Sequence, residues 1–413
     1  MQTSKVTMTK RIGIYIHIPF CVNKCAYCDF YSVAPTGKRM AQYHQALSKQ
    51  LKEAATVLSG YYIDSIYFGG GTPSFYGARR IADLFGVLKE QYKVLLDAEV
   101  TVEINPDSIS AKDLRLLRKE GVSRLSIGVQ TTDDGLAKSL GRRHSFAQVE
   151  KTIARARRAG FENLSVDLIY GLPSQTRKDW TETLNRVIAL RPVHISCYGL
   201  RVEEGTPLYL FKDSPDIPGE DDQADMYLYL VDALRNVGYR QYEISNFAMP
   251  GHESRHNLKY WNREEYIGFG PTAHSYVGDM RYSYIRGVEE YMDALEGKRS
   301  ILAGQDEISK NEQALEYLML GLRTTRGIKR EEYFGIYQSN FAPIEELLRS
   351  YAKHGWAQQI DERWSFTPPG FLLSNRLIRE ILDVHAKQRV TVGMPWKRGE
   401  AITLSKQAER ELN

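Results

Sequence analysis

The sequence predicts an α/β fold: a partial (β/α)6-type barrel followed by a smaller α-rich domain. Three observations carry this. Short runs rich in Val, Ile, Tyr and Phe alternate with amphipathic stretches through the first part of the chain, the pattern of βαβ units and a parallel sheet. Thiols, glycines and carboxylates collect where those runs end, which is the rim where barrels of this kind gather ligands. At 413 residues the chain exceeds one ordinary core, so a second domain is expected.

Candidate strands fall at 13–18, 65–68, 100–104, 124–129, 165–170 and 194–200. Between them, helical patterns cover 43–58, 81–92, 111–119, 146–158 and 180–190, with apolar residues at helical spacing. A further helix fits 222–237 and a further strand 241–247. Domain boundaries follow: a flexible N-terminus at 1–11, the barrel at 12–248 and a connecting segment at 249–300. An α-rich domain at 301–386 and a polar tail at 387–413 complete the chain. In the connecting segment Tyr, Asn, His and Gly crowd 252–282 without periodicity, which reads as loops and short elements beside the barrel mouth. In the last domain, helices at 310–322, 343–354 and 375–382 with a short strand at 363–366 suggest a winged-helix-like unit.

Composition excludes several classes. Hydrophobic residues make up 42% and charged residues 26%, ordinary for a globular protein. The 55 basic and 51 acidic side chains are intermixed, which argues against a nucleic-acid surface. The start is polar and basic without an apolar h-region, and no apolar stretch is long enough to span a bilayer. A cytoplasmic protein is therefore expected.

Of the 4 cysteines, Cys21, Cys25 and Cys28 lie together in Cys21-Val-Asn-Lys-Cys25-Ala-Tyr-Cys28. A chain this long needs no disulfide staples, so this is a metal site. Thiolates are the usual ligands of iron–sulfur clusters, and three of them leave one iron of a cubane open. Zinc is the plainer alternative, but it wants four closed ligands. The next thiol, Cys197, is remote and reads as a small buried hydrophobe, while His17 sits on the preceding strand.

The cysteine spacing, with Tyr15-Ile-His-Ile-Pro-Phe-Cys21 before it and Gly69-Gly70-Gly71-Thr72-Pro73 after the second strand, closely resembles the radical S-adenosylmethionine (SAM) superfamily. The match is to its coproporphyrinogen dehydrogenase-like branch, the HemN and HemW proteins, and runs from about Gly13 to Leu382. The resemblance implies a [4Fe–4S] cluster on Cys21, Cys25 and Cys28, with SAM chelating the open iron. It also implies SAM contacts from Tyr15, Gly70, Gly71, Thr72, Glu103, Gln130, Arg142 and Asp167, with Arg142 on the carboxylate. Singly, Asp167 could be a structural carboxylate and Arg142 a surface arginine.

Three features separate the branches. The dehydrogenase has a further cysteine two positions after the third ligand, where this chain has Phe30. It also has a long N-terminal extension, whereas few residues precede the first strand here. The segment Arg255-His256-Asn257-Leu258-Lys259-Tyr260 carries the His-Asn-x-x-Tyr pattern associated with HemW. All three favour HemW, and with it a haem chaperone. The resemblance then implies haem contacts from His256, Asn257 and Tyr260. Histidine and tyrosinate both ligate haem iron, and an i, i+4 pair shares a helix face. His274 is a second candidate, and Tyr276, Tyr282 and Trp261 could line a porphyrin slot or belong to the core. Expected partners are haem, a haem-acceptor protein that is transiently membrane-associated, and an electron donor such as a flavodoxin or ferredoxin. The alternatives are oxygen-independent coproporphyrinogen III dehydrogenation and radical SAM methyl transfer.

Overall fold

A computed structural model describes residues 10–338 and 340–391. Strands β1 (Lys10–Ile18), β2 (Tyr61–Gly70), β3 (Lys93–Ile104), β4 (Arg124–Gln130), β5 (Asn163–Tyr170) and β6 (His194–Gly199) pair in chain order, all parallel. Helices Gly37–Ala54, Ala78–Gln91, Ala111–Glu120, Phe146–Arg158 and Arg177–Ala189 make the crossovers. Their starts are written locally. Capping boxes join Ser110 to Asp113, Ser145 to Gln148 and Thr176 to Asp179, each satisfying amide groups that the first helical turn leaves unpaired. This is the partial (β/α)6 barrel, with the expected strands inside the observed ones or within a residue of their ends.

Successive strand residues point to opposite faces, and here the two faces differ in chemistry. Ile14, Ile16, Ile66, Phe68, Val100, Val102, Leu125, Ile127, Val166 and Ile195 are buried in the apolar core. The alternate positions are Tyr15, His17, Ser65, Tyr67, Glu99, Thr101, Glu103, Arg124, Ser126, Ser165, Asp167, His194 and Ser196. On that face neighbouring strands bond to one another: Ser126 donates to Asp167 at 3.0 Å, Tyr67 to Glu103 at 2.8 Å, and Ser165 Oγ lies 2.8 Å from His194 Nδ1. The barrel is therefore apolar outside, under its helices, and polar within.

The sheet does not stop at Ala248. β7 (Arg240–Gln241) and β8 (Asn246–Ala248) replace the single strand expected at 241–247. The run is broken because the Glu243 carboxylate turns back to accept the Ser245 amide at 2.9 Å. In the segment read as a connection of loops and short elements, β9 (Tyr266–Phe269) pairs parallel with β1. Strands β10 (His274–Val277), β11 (Met280–Tyr284) and β12 (Leu302–Glu307) continue from it, giving a 12-stranded sheet among the described residues. Periodicity missed these strands because they are short, and the chain turns sharply after β9 at Gly270 (φ 96°).

The C-terminal unit packs helices Lys310–Gly321, Ala342–Lys353 and Ser374–Thr391 around an antiparallel sheet. That sheet contains β13 (Ile328–Lys329), β14 (Ala357–Ile360) and β15 (Arg363–Phe366) in the order β13-β15-β14. Glu316 clamps it to the barrel, 3.0 Å from Arg263 and 2.6 Å from Arg281. Residues 1–9 of the expected flexible N-terminus and 392–413 of the expected tail lie outside the described residues; β1 begins at Lys10 and the last helix runs to Thr391.

Candidate functional site

The cysteine loop leaves the end of β1 and is pinched at its neck. Val33 donates to Pro19 O at 2.7 Å and Cys21 N to Val33 O at 3.2 Å. Cys28 N closes a turn on Cys25 O at 3.1 Å. Cys21, Cys25 and Cys28 are free and half-buried, whereas Cys197 is fully buried on β6. Burial pushes the Cys28 thiol up, and nearby Cys25 and Cys21 add to the shift. Among the described residues no three His, Cys, Asp or Glu side chains are grouped to hold a single metal ion. The donor set, three sulfurs and no fourth ligand, fits a cluster with one open iron and not a closed zinc site.

The rim around this loop is held by the expected residues. Thr72 Oγ1 donates to Cys21 Sγ at 3.5 Å and accepts from Asn105 Nδ2 at 3.5 Å. Arg142 Nη2 donates to Asn105 Oδ1 at 2.9 Å and Gly128 O at 2.5 Å, and its Nη1 lies 3.9 Å from Cys25 Sγ. Arg142 thus turns inward. Its Nε is buried without a partner, the kind of orphan that a ligand carboxylate satisfies. Gly71 crosses so close to the loop that a Cβ would stand 2.6 Å from Phe20 O, and Gly70 has φ +111° with the His17 ring where its Cβ would be. The Gly-rich turn is therefore a geometric necessity of seating the loop.

Deeper in, Glu103 accepts from Tyr67 OH at 2.8 Å and from Gly70 N at 3.1 Å. Burial raises its pKa to about 7 against those hydrogen bonds. Tyr15 OH lies 3.1 Å from His17 Nδ1. Asp167, on β5, has its pKa raised by burial, opposed by hydrogen bonds from Ser196 and Ser126 and by Arg124. Gln130 ends β4 in a left-handed conformation (φ 70°) beside a register shift. Tyr15, Gly70, Gly71, Thr72, Glu103, Gln130, Arg142 and Asp167 thus share the mouth and upper lumen of one barrel. Two residues of that lumen escaped sequence reading: Tyr67, which positions Glu103, and Arg124, 1% exposed with Nε and Nη1 unpaired; His17, weighed in the sequence only as a zinc ligand, has its Nε2 buried without a partner. The signal for them was the alternation of polar with apolar residues along each strand.

The His-Asn-x-x-Tyr segment is a helix, Arg255–Asn262, so His256 and Tyr260 do share a face. They bond each other, Nε2 to OH at 2.9 Å, and His256 Nδ1 lies 2.9 Å from Ser65 Oγ. His256 is 0% exposed, and burial depresses its pKa to about 3. Both ring nitrogens are therefore engaged, and the imidazole stands behind Tyr15 and Tyr67. Tyr260 instead lines an open cavity of about 420 Å³ beside the cysteine loop, together with Tyr15, His17 and His274. Asn257 contributes its amide to the Ser254 cap at 3.3 Å. Tyr276 and Tyr282 lie on β10 and β11, Tyr276 accepting from Arg263 at 3.1 Å.

A parallel barrel whose first strand delivers three free thiols to a glycine- and carboxylate-lined mouth defines the class: a radical SAM protein. The model of the radical SAM superfamily matches residues 15–187, and that of the HemN C-terminal domain matches 308–373. The heme chaperone HemW of Lactococcus lactis is 35% identical over 91% of this chain and 98% of that protein. The HemW of Bacillus subtilis is 35% identical over 89% and 98%. The mouse radical S-adenosyl methionine domain-containing protein 1, mitochondrial, is 33% identical over 80% and 77%. Within the superfamily, the chain belongs to the HemW family. Coproporphyrinogen III oxidase (HemN) from Escherichia coli shares the fold, with TM-score 0.79 and 24% identity over 91% of each chain. Membership implies a [4Fe–4S] cluster and SAM, which together supply one-electron chemistry when bound. No helix among the described residues is long and apolar enough to cross a membrane.

Proposed function

We propose that this chain binds haem and hands it to an acceptor protein, with the SAM–cluster site acting as a redox or regulatory element beside the haem. The observation that carries the reading is the open aromatic cavity sharing a wall with the cysteine loop and the His256–Tyr260 helix. Cys21, Cys25 and Cys28 hold the cluster. Arg142 takes the SAM carboxylate, Glu103 and Asp167 its ammonium or ribose groups, and Gly70, Gly71 and Thr72 provide close backbone approach, with Tyr15 and Gln130 at the edges. Tyr260 faces the haem, His256 sets its hydroxyl, and Asn257 helps to start their helix. Phe30 stands where the dehydrogenase pattern has a cysteine, which speaks against porphyrinogen oxidation. The relatives' name, heme chaperone, supports the same reading. The reading calls for an acceptor that associates transiently with the membrane and for an electron donor such as a flavodoxin or ferredoxin.

The test uses full-length protein reconstituted anaerobically and loaded with haem. About one haem per chain should survive gel filtration and pass to haem-depleted membrane vesicles, and coproporphyrinogen III should stay unconverted with SAM and reductant. Conversion of the porphyrinogen by protein that retains no haem would overturn the reading.

A further inference from the structure

The cavity beside the cysteine loop has a composition that the motif residues alone do not explain. Phe30, 66% exposed and two positions after Cys28, opens one side of it. Tyr31 forms another wall, its hydroxyl fixed by the Val288 amide at 3.0 Å. Tyr260 meets Tyr266 edge to face at 4.6 Å between centroids. On the far side, β10 and the turn after β11 place two groups next to each other through the ladder. His274 pairs with Ser283, and Thr272 N donates to Ile285 O at 3.2 Å, which sets Arg286 one residue beyond. Arg286 lies 5.4 Å from the Tyr31 ring centroid, and among the described residues no carboxylate forms a salt bridge with it. Asp29 also lines the cavity. His274 is exposed at the slot, and burial of part of its ring, with Arg281 nearby, lowers its pKa from the ordinary value.

Aromatic faces, a neutral imidazole and a cation around one open slot match a flat aromatic iron chelate with acidic side arms. The volume of about 420 Å³ is in the range of small-molecule sites. Its openness suits a carrier that must release its load. By contrast, His256 reaches the slot only through Tyr260, and freeing its ring would leave Ser65 and Tyr260 without their buried partner.

We propose that this slot, reached through Phe30, holds haem with His274 as the iron ligand and Arg286 on a propionate, and that His256 positions Tyr260 without touching iron. This rests on the haem reading above. Ligation by neutral His274 forms an iron–nitrogen bond and moves no proton or electron. Phe30 and Tyr31 then bring the haem edge against the loop of Cys21, Cys25 and Cys28.

The test titrates hemin, and separately its dimethyl ester, into full-length reconstituted protein. His274→Ala should shift the Soret band and weaken hemin about tenfold or more, and added imidazole should restore the band. Arg286→Glu should weaken hemin about tenfold and leave the ester unchanged. Tyr260→Phe removes the hydroxyl that pairs with His256 Nε2 and is read for iron ligation alone: the histidine-ligated band should hold its position, and a shift of that band would overturn His274 as the ligand. Wild-type spectra and affinities in both His274→Ala and Arg286→Glu would overturn the site while leaving haem binding intact. A wild-type chain that binds no hemin would overturn the haem reading itself, and the site with it.

Discussion

The Glu103 carboxylate accepts two hydrogen bonds yet has a pKa near 7, because burial in the lumen outweighs both. A ligand ammonium or ribose hydroxyl prefers the ionised form. SAM affinity should therefore rise as pH increases from 6 to 8, by up to about tenfold per unit below the pKa. Glu103→Gln should weaken SAM and flatten that profile; equilibrium binding to anaerobic protein at several pH values reads both. A sloped profile in the glutamine variant would assign the titration elsewhere. At this scale the sequence was informative wherever a motif fixed spacing. Cys21, Cys25, Cys28 and Gly71 could be picked out because their roles depend on neighbours a few residues away. The inward turn of Arg142 and the burial of His256 depend on residues far along the chain, Asn105 and Ser65, and no local pattern encodes them.

Among the elements, the helix Arg255–Asn262 is the one most dependent on a distant carboxylate. Ser254 Oγ caps it, accepting from Asn257 N at 3.3 Å, while Glu99 of β3 accepts the amides of Arg255 at 3.2 Å and His256 at 3.1 Å. A carboxylate at a helix start satisfies orphan amides and favours the dipole. Glu99→Ala should lower stability by about 1–3 kcal/mol, read as a drop in denaturant midpoint. Glu99→Gln, which keeps an acceptor, should lose less. The same helix buries Lys259 against Asp64 at 3.0 Å and Glu264 at 3.3 Å. The long helices of the barrel were legible because each has its own periodicity and cap. The strands β9 to β12 were not, because each is short and takes its identity from pairing with β1 and its neighbours.

For the whole molecule, the polar lumen and its surroundings set the response to acid. Burial depresses His17 and His144 to about 4 and His256 to about 3, with His194 far below its ordinary value. A depressed histidine contributes stability that is present above the ordinary pKa of about 6.5 and is lost as pH falls towards the folded value. Glu103 and Glu243, both raised to about 7 by burial, act in the opposite sense: their contribution is present at low pH and fades as pH rises through the range from 4.5 to 7. Asp167 is raised as well, and burial also lowers His44 and His274; six histidines outweigh three carboxylates, so Tm should fall steadily as pH drops from 7 to 5. Thermal melts across that range check it, and a flat profile would mean that these rings are hydrated.

The sequence by itself determined the three-cysteine motif, the parallel barrel and the family, because cysteine spacing, glycine turns and strand–helix alternation are short-range patterns. Only the tertiary structure decided which imidazole faces the open slot and which is sealed behind Tyr15 and Tyr67. It also decided that the sheet runs past the barrel to Glu307 and that the lumen is polar. The physical reason is that burial, and with it the charge state and availability of a side chain, is set by what packs against it from elsewhere in the chain.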